Sequence, residues 1–257
     1  MSDESTPQVP ASPPPSSPVG TPGPRWATIL AVAALTATAG LSLYTRREVA
    51  ALRADQRALM AEINAARGTP LIDIAGAPTL GSPDAPLTLV EFADYECPYC
   101  IRHFLDTMPE VDANFIRPGK VRYIFRDMPI DALHPGSIHA HEAARCAIEQ
   151  GRFWELHKRL FSAPGTHDSS SLEARAAEAG LNADAFRACM TSGRTTASVQ
   201  QSVAAAGQLG VTGTPTFFIA VREKNPDQVR ALRALAGAQP YAEFEKALNE
   251  AAATMRP

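Results

Sequence analysis

Two cysteines separated by two residues, Cys97-Pro98-Tyr99-Cys100, have the spacing that reversible thiol chemistry requires. One helical turn would separate the two sulfurs, so the pair can close into a disulfide and reopen by thiolate attack through a mixed disulfide. The same spacing also occurs in half of a zinc site or in a purely structural pair. The sequence has no second C-x-x-C, no C-x-x-C-H haem motif and no H-E-x-x-H motif. We therefore favour redox use of this pair and expect no metal.

The sequence around the cysteine pair predicts which secondary-structure elements position it. Residues 87–92 are apolar and β-branched, which predicts a buried strand, and a helix should begin near Pro98 because proline suits a first turn. The free N–H groups and the dipole of a helix N-terminus would stabilise a thiolate on Cys97 and lower its pKa. We expect Cys97 to be the nucleophile and Cys100 to resolve the mixed disulfide.

The wider pattern predicts an α/β domain over residues 70–257. Further strands are expected at residues 121–125, 216–221 and 232–236, followed by a closing helix at 241–253. The part between about 135 and 209 is alanine-rich and has helical periodicity. This order gives a β-α-β half, a helical insertion and a β-β-α half.

The N-terminal 69 residues divide into three segments by composition. Residues 1–24 hold 8 of the 22 prolines and predict a disordered tail. Residues 25–44 include 19 consecutive residues without a charge, so we expect a transmembrane helix. A signal peptide cleaved at Ala37-Thr38-Ala39 and a buried soluble helix are the alternatives. Residues 45–69 predict a helical stalk, which could support a weak dimer.

The net charge and the distribution of basic residues indicate which partners and which location the chain could have. The chain has 24 basic and 27 acidic residues, a net charge of −3, so it lacks the basic excess of a nucleic-acid-binding protein. Basic residues are more frequent after the apolar segment than before it, which would place the C-terminal domain in the cytoplasm. Disulfide chemistry favours the opposite side. We expect a single-pass inner-membrane protein with a periplasmic or otherwise extracytoplasmic catalytic domain.

Cys146 and Cys189 stand apart from the first pair and from each other. An even number of cysteines outside the cytoplasm favours a structural disulfide between them, with two buried, inert thiols as the alternative. Several histidines could suggest a metal site, but their spacing matches no closed site. We expect a solvated helix face for His103, and surface or helix-cap positions for His134, His139 and His141.

Two longer motifs resemble the DsbA-type thiol:disulfide oxidoreductases. They are residues 90–100, VEFADYECPYC, and residues 210–219, GVTGTPTFFI; GSPDAP at 81–86 and GRFWELH at 151–157 are also similar to that family. More narrowly, the chain resembles its membrane-anchored bacterial members, over about residues 75–253. The resemblance implies a thioredoxin fold with a helical insertion and a cis peptide bond between Thr214 and Pro215.

The resemblance also implies how a substrate would bind. The loop of Gly213, Thr214 and Pro215 would lie beside the cysteine pair and offer backbone groups to an extended peptide. Thr214 would contact substrate and tune the site. Pro98 and Tyr99, between the cysteines, would also lie against the substrate.

An acidic residue below the active site is a further feature of that family. Glu91 takes this position here and would handle the proton of Cys100; a strand-edge glutamate facing water is the alternative. We expect Asp94 and Glu96 to be solvated loop acids.

The resemblance implies an enzyme whose only redox group is its cysteine pair, without a separate cofactor. Its substrates would be reduced or unfolded secreted proteins, and its partner a membrane redox protein of the DsbB or DsbD kind. We favour oxidation of the substrate. A thioredoxin-like reductase or isomerase is the alternative, as is a metal-binding or scaffold module that uses the same cysteines.

Overall fold

The computed structural model describes residues 29–30, 44–49, 69–162 and 167–255. The chain divides into two compact units, Met1–Asn64 and Ala65–Pro257. In the first unit only the helical residues 29–30 and 44–49 are described, so the predicted tail and most of the predicted anchor and stalk lie outside the described residues. Within the described part of the chain, no helix has both the length and the apolar character needed to cross a membrane. The membrane anchor stays a prediction.

The second unit is built on one six-stranded sheet. Its strands are β1 (Leu71–Asp73), β2 (Thr79–Leu80), β3 (Leu87–Ala93), β4 (Val121–Asp127), β5 (Thr216–Arg222) and β6 (Gln228–Ala236). Their order across the sheet is β1-β6-β5-β3-β4-β2. β3 and β4 are parallel, and the other neighbours are antiparallel. β3 is buried along its whole length, which accounts for its nearly continuous apolar sequence.

Helices cover the sheet and form the insertion. They are α1 (Pro98–Arg102), α2 (Met108–Val111), α3 (Ser137–Glu149), α4 (Phe153–Ser162), α5 (Ser169–Glu178), α6 (Ala183–Thr191), α7 (Arg194–Gln208) and α8 (Tyr241–Thr254). Two π-helical segments, π1 (His103–Thr107) and π2 (Asp112–Ile116), extend α1 and α2 into one helical run. Helices α3 to α7 separate β4 from β5, which confirms the predicted α/β architecture with a helical insertion.

The core lies on both faces of the sheet. Leu89 of β3 and Phe217 of β5 pack on the face that also buries Cys100, whereas Val90 and Phe218 pack on the opposite face. Successive strand residues point to opposite sides of a sheet. Glu91 therefore shares its face with Leu89 and with the helix that carries the cysteine pair.

The strands that the sequence did not predict lie at the two edges of the sheet. β1 has three residues and β2 has two, and each pairs with a single neighbour. β6 begins at Gln228, four residues before the predicted start. Such short segments carry little periodicity of their own, because pairing with a formed sheet is what makes them strands.

The insertion contains a disulfide between Cys146 of α3 and Cys189 of α6, which are 43 residues apart. Both cysteines are buried. The bond ties together two helices that are distant in sequence, and in the chain-entropy account it acts by restricting the unfolded chain.

Replacing both Cys146 and Cys189 by alanine is expected to lower the free energy of unfolding by about 4 kcal/mol, the loop-closure contribution for this separation. Urea unfolding followed by circular dichroism measures it. As a control, the same comparison after complete reduction of both proteins should remove the difference. An unchanged midpoint under oxidising conditions would contradict a stabilising role of this bond.

Candidate active site

Helix α1 begins directly after Cys97, which occupies its N-cap position. Pro98 fills the first turn, where the missing N–H of proline has no cost. The N–H of Cys97 donates to the carbonyl of Asp94 over 3.2 Å, and its carbonyl accepts from the N–H of Ile101 over 3.0 Å. The sulfur of Cys97 is thereby placed at a helix N-terminus, where unpaired N–H groups favour negative charge.

Cys97 is an ionised thiol at neutral pH, because its pKa is lowered to about 5. A hydrogen bond from the Cys100 thiol makes the largest contribution, and burial opposes it by raising the pKa. The backbone N–H groups of Cys100 and Tyr99 lower the pKa further. Only 4% of Cys97 is exposed, so a visiting thiol or disulfide would have a narrow approach.

Cys100 has the opposite character. It is fully buried, and burial raises the pKa of its thiol well above the ordinary value. The hydrogen bond to Cys97 and the charge of Glu91 raise this pKa further. The N–H of Asp94 lies 3.5 Å from its sulfur and donates to it. The two cysteines of one motif thus differ in charge at neutral pH: Cys97 is a thiolate and Cys100 is a protonated thiol.

The loop of Gly213, Thr214 and Pro215 lies beside Cys97. The peptide bond between Thr214 and Pro215 is cis, as the resemblance implies. The carbonyl oxygen of Thr214 lies 3.4 Å from the sulfur of Cys97. The hydroxyl of Thr216 donates to the carbonyl of Gly213 over 2.7 Å, which fixes the start of the loop. The structure therefore brings the predicted substrate loop against the nucleophile.

Glu91 lies in the sheet with only 3% of its surface exposed, so the alternative of a strand-edge glutamate facing water is wrong. Burial raises the pKa of Glu91 to about 7; a hydrogen bond from Tyr123 lowers it, and the charge of Cys97 raises it. A carboxyl group with a pKa near neutrality can both accept and return a proton. The geometry thus brings together an ionised thiol, a buried second thiol and a buried carboxyl group that could exchange a proton.

A family model described as thioredoxin matches residues 74–250. The chain belongs to this thioredoxin family. Among solved structures, a thioredoxin-like oxidoreductase from Silicibacter pomeroyi DSS-3 is 32% identical, with a TM-score of 0.57 over 69% of this chain and 92% of that one. Oxidised BdbD from Bacillus subtilis (24% identity, TM-score 0.60, 71% and 95% covered) shares the fold. Alpha-DsbA1 from Wolbachia pipientis also shares the fold, with 24% identity and a TM-score of 0.58 over 70% of this chain and 92% of that one.

Curated relatives of this thioredoxin-family chain are much longer proteins. Na(+)/H(+) antiporter NhaA 3 of Salinispora tropica is 35% identical over 210 residues, which are 79% of this chain and 32% of that protein. Na(+)/H(+) antiporter NhaA 1 of Mycolicibacterium gilvum is 34% identical over 60% of this chain and 25% of its own length. The chain thus spans between a quarter and a third of these relatives, and their names describe the whole proteins.

Asp94 is a buried structural acid, which corrects the prediction of a solvated loop residue. Its carboxylate accepts hydrogen bonds from the N–H groups of Glu96 and Ile130, each over 2.8 Å, and from the hydroxyl of Ser137. His134 lies 2.9 Å away. Burial raises the pKa of Asp94, but these hydrogen bonds outweigh it and lower the pKa overall. Asp94 therefore links the segment just before the cysteine pair with the segment that follows β4.

Glu96 and His141 also depart from the surface positions predicted for them. Glu96 is half-buried and pairs with the buried His167 over 2.8 Å. His141 is buried and pairs with the buried Asp127 over 2.8 Å. His139 fits its prediction, since it is exposed.

His103, three residues after Cys100, is buried rather than solvated, with 1% of its surface exposed. Its ring packs against Phe217 and Phe244, at centroid distances of 4.5 and 5.0 Å. Neither ring nitrogen has a hydrogen-bond partner among the described residues, and burial lowers the pKa of His103 to about 3. His103 is a neutral core residue and supplies no positive charge to the site.

Tyr99 and Pro98, predicted to lie against a substrate, are both exposed beside the nucleophile; the exposed fraction of Tyr99 is 55%. The predicted disulfide residues Cys146 and Cys189 belong to the insertion. Within the described residues no group of three or more His, Cys, Asp or Glu side chains is placed to hold a metal ion.

Sequence reasoning missed Tyr123, which donates a hydrogen bond to Glu91. The sequence did indicate which face of the sheet Tyr123 lies on, because the two-residue alternation of a strand places it on the same face as Phe125. Parallel pairing sets Phe125 opposite Glu91, and only this register, which the sequence does not state, brings the hydroxyl to the carboxylate.

Proposed function

We propose that this chain is a thiol:disulfide oxidoreductase that donates its Cys97–Cys100 disulfide to reduced protein substrates. The observation that carries the proposal is the low pKa of Cys97, about 5, at a helix N-terminus beside a buried second thiol. A stabilised thiolate favours the reduced form of the pair, and a pair that prefers to be reduced is an oxidant. The name of the Silicibacter pomeroyi relative, a thioredoxin-like oxidoreductase, supports the general class.

The reaction needs only the two sulfurs and one proton carrier. A substrate thiolate attacks the sulfur of Cys97, the Cys97–Cys100 bond breaks, and Cys100 leaves and takes up a proton from Glu91. A second substrate thiolate then attacks the substrate sulfur of the mixed disulfide and releases Cys97 as a thiolate. The substrate loses two electrons and gains one disulfide, and the protein gains the two electrons.

The loop of Gly213, Thr214 and Pro215 supports a polypeptide as the substrate. The Thr214 carbonyl lies close to the Cys97 sulfur, and a backbone carbonyl at that place can accept a hydrogen bond from the main chain of an extended peptide. Pro98 and Tyr99, exposed next to the nucleophile, add apolar surface. We infer that a peptide lies along these residues while one of its cysteines reacts.

An extracytoplasmic location is part of the proposal. Structural disulfides persist in oxidising compartments, and the buried Cys146–Cys189 bond supports such a location. We propose a single-pass anchor in the inner membrane within residues 25–44 and a periplasmic or otherwise extracytoplasmic domain. Reoxidation by a membrane partner of the DsbB kind would complete the cycle; a partner of the DsbD kind would instead keep the pair reduced. The stalk could support a weak dimer.

The test is the equilibrium of the Cys97–Cys100 pair with glutathione, together with oxidation of a reduced peptide that contains two cysteines. The pKa of Cys97 lies between those of thioredoxin (about 7) and DsbA (about 3.5), so the potential should lie between their values of about −270 and −120 mV, near −180 mV. The peptide should become oxidised as the protein loses one disulfide.

Two outcomes would contradict the proposal in different ways. A potential near that of thioredoxin would favour the reductase alternative. A protein that exchanges no disulfide with the peptide would not be an oxidoreductase of this kind. Protein whose pair has been reduced beforehand is the matched control for the peptide assay, since it has no disulfide to donate.

A further inference from the structure

The carboxylate of Glu91 is held by one buried hydroxyl. Tyr123 donates a hydrogen bond to Oε2 of Glu91, and both residues are buried. In the parallel ladder Leu89 lies opposite Tyr123 and Phe125 lies opposite Glu91. The two polar side chains therefore leave neighbouring strands on the same face of the sheet. No other hydrogen bond reaches the Glu91 carboxylate from the residues that the structure describes.

The ring of Tyr123 is fixed in turn by its neighbours. It packs against Trp154 at a centroid distance of 5.8 Å, and the indole N–H of Trp154 donates to the carbonyl of Thr79 over 3.2 Å. Thr79 belongs to β2, which pairs with the strand that carries Tyr123. The hydroxyl is thus held against Oε2, and Oε1 is left as the oxygen of Glu91 without a described hydrogen-bond donor.

We propose that Tyr123 is a positioning residue for the transfer of the Cys100 proton, because its hydroxyl holds Glu91 through Oε2 and leaves Oε1 to receive that proton. The inference rests on the proposed function and concerns the closing step of reoxidation, in which Cys100 closes the pair again after Cys97 has formed a mixed disulfide with an oxidising partner. The Cys100 thiol gives its proton to Glu91, and its sulfur attacks Cys97 in the mixed disulfide. The bond from Cys97 to the visiting sulfur breaks, and that sulfur leaves as a thiolate. One disulfide forms as another breaks, so no further oxidant is required.

Among Glu91 and the described groups that interact with it, Glu91 is the group that changes charge near pH 7. Those that interact with it electrostatically are Cys97, Cys100, Tyr95 and Tyr123. Cys97 is already ionised at pH 7, whereas the pKa values of Cys100 and of both tyrosines are raised well above their ordinary values. On the same face β5 contributes Phe217, and π1 contributes the neutral His103. A pH midpoint at or somewhat below 7 in the closing step would therefore report Glu91, because Cys97 carries no charge in the mixed disulfide.

The test follows the closing step directly with dithiobis(nitrobenzoate) as the probe. Reduced protein releases a first thionitrobenzoate when Cys97 attacks the probe, and a second one when Cys100 closes the pair. In the wild type the rate of the second release should rise with pH through a midpoint at or below about 7, because Glu91 accepts the proton only as a carboxylate and the mixed disulfide removes the charge of Cys97 that raises the pKa of Glu91. Glu91→Gln should remove this midpoint.

Tyr123→Phe should raise the midpoint by about one pH unit or more, because a hydrogen bond to the charged carboxylate is lost while burial stays. At a pH below both midpoints the second release should then be about ten-fold slower, since fewer Glu91 groups are carboxylates. In the Glu91→Gln background the same substitution should change nothing further. Tyr241→Phe is the matched control, because Tyr241 donates to Glu245 over 3.2 Å on α8, and it should leave the midpoint unchanged.

Protein with meta-fluorotyrosine at its tyrosines keeps the fold and the hydroxyl but makes the hydroxyl a stronger donor, so its midpoint should fall. A folded Tyr123→Phe protein, or the fluorinated protein, with the wild-type midpoint would overturn the role of Tyr123. In that case the proposed function would still stand, provided that both thionitrobenzoates are released. If the wild type never releases the second one, the proposed function itself is wrong.

Discussion

Cys97→Ser is expected to lower the rate of disulfide exchange with a reduced peptide by roughly a thousand-fold or more, to the uncatalysed level. In the proposed reaction a substrate thiolate attacks the sulfur of Cys97, and Cys97 later leaves as a thiolate. The structure favours that thiolate, since the sulfur lies at the start of α1 and is ionised at neutral pH. A serine hydroxyl at the same place forms no disulfide. Peptide oxidation, followed by mass spectrometry after acid quenching, measures the loss.

Cys100→Ser should have a different effect, which separates the two sulfurs. Cys97 remains and can still attack a disulfide, but no second sulfur resolves the mixed disulfide. The covalent complex with the visiting peptide should therefore accumulate as a species that a reductant cleaves. The double variant Cys97→Ser/Cys100→Ser is the control and should form no complex. A complex of similar yield with Cys97→Ser would show that the roles of the two cysteines are reversed.

The chemistry of the cysteine pair could be predicted from the sequence because it depends on local structure. A buried strand, a short loop and a helix that starts at Pro98 are encoded within residues 87–102, and the structure has them at those places. The thiolate of Cys97 depends largely on groups within three residues, namely the Cys100 thiol and the N–H groups of Tyr99 and Cys100. Short-range contacts of this kind follow from spacing alone.

Contacts over longer distances in the sequence could not be predicted in the same way. Tyr123 is 32 residues from Glu91, and His103 owes its burial to Phe217 and Phe244, more than a hundred residues later. Asp94 precedes the cysteines in what reads as a polar loop, yet its partners Ile130, His134 and Ser137 come from the segment after β4. The register of the strands and the packing of the helices decide which of these side chains are buried and which residues they contact. The pattern of residue types along the sequence does not specify that register or packing.

The second large effect concerns the pH at which Cys97 loses its charge. Thiolate absorbance in the reduced protein, with Cys97→Ser as the blank, should show a midpoint of about pH 5, against about 8.5 for an unperturbed cysteine. At pH 7 nearly every Cys97 is then ionised. The midpoint is a better measure than an alkylation rate, because the nucleophilicity of a thiolate falls as its pKa falls and offsets much of the gain. A midpoint above pH 7 would contradict the site described here.

The same ionisation should make the stability of the reduced protein depend on pH. The folded pKa of Cys97 lies below its unfolded value, so its contribution is fully present above about pH 8.5 and is lost as the pH falls through 5. At pH 7 the contribution is about 3 kcal/mol, and at pH 4.5 it is close to zero. The oxidised protein has no thiolate and should lack this dependence.

The measurement is therefore a difference between the two redox forms. Urea unfolding of the reduced and the oxidised protein at pH 7 and at pH 4.5 should show that acid removes about 3 kcal/mol from the reduced form relative to the oxidised form. Glu91 titrates in the same range, with a pKa of about 7, and repeating the series with Glu91→Gln separates its contribution. Because the same free energy sets the preference of the pair for its reduced form, a missing pH dependence would also remove the physical basis for an oxidant.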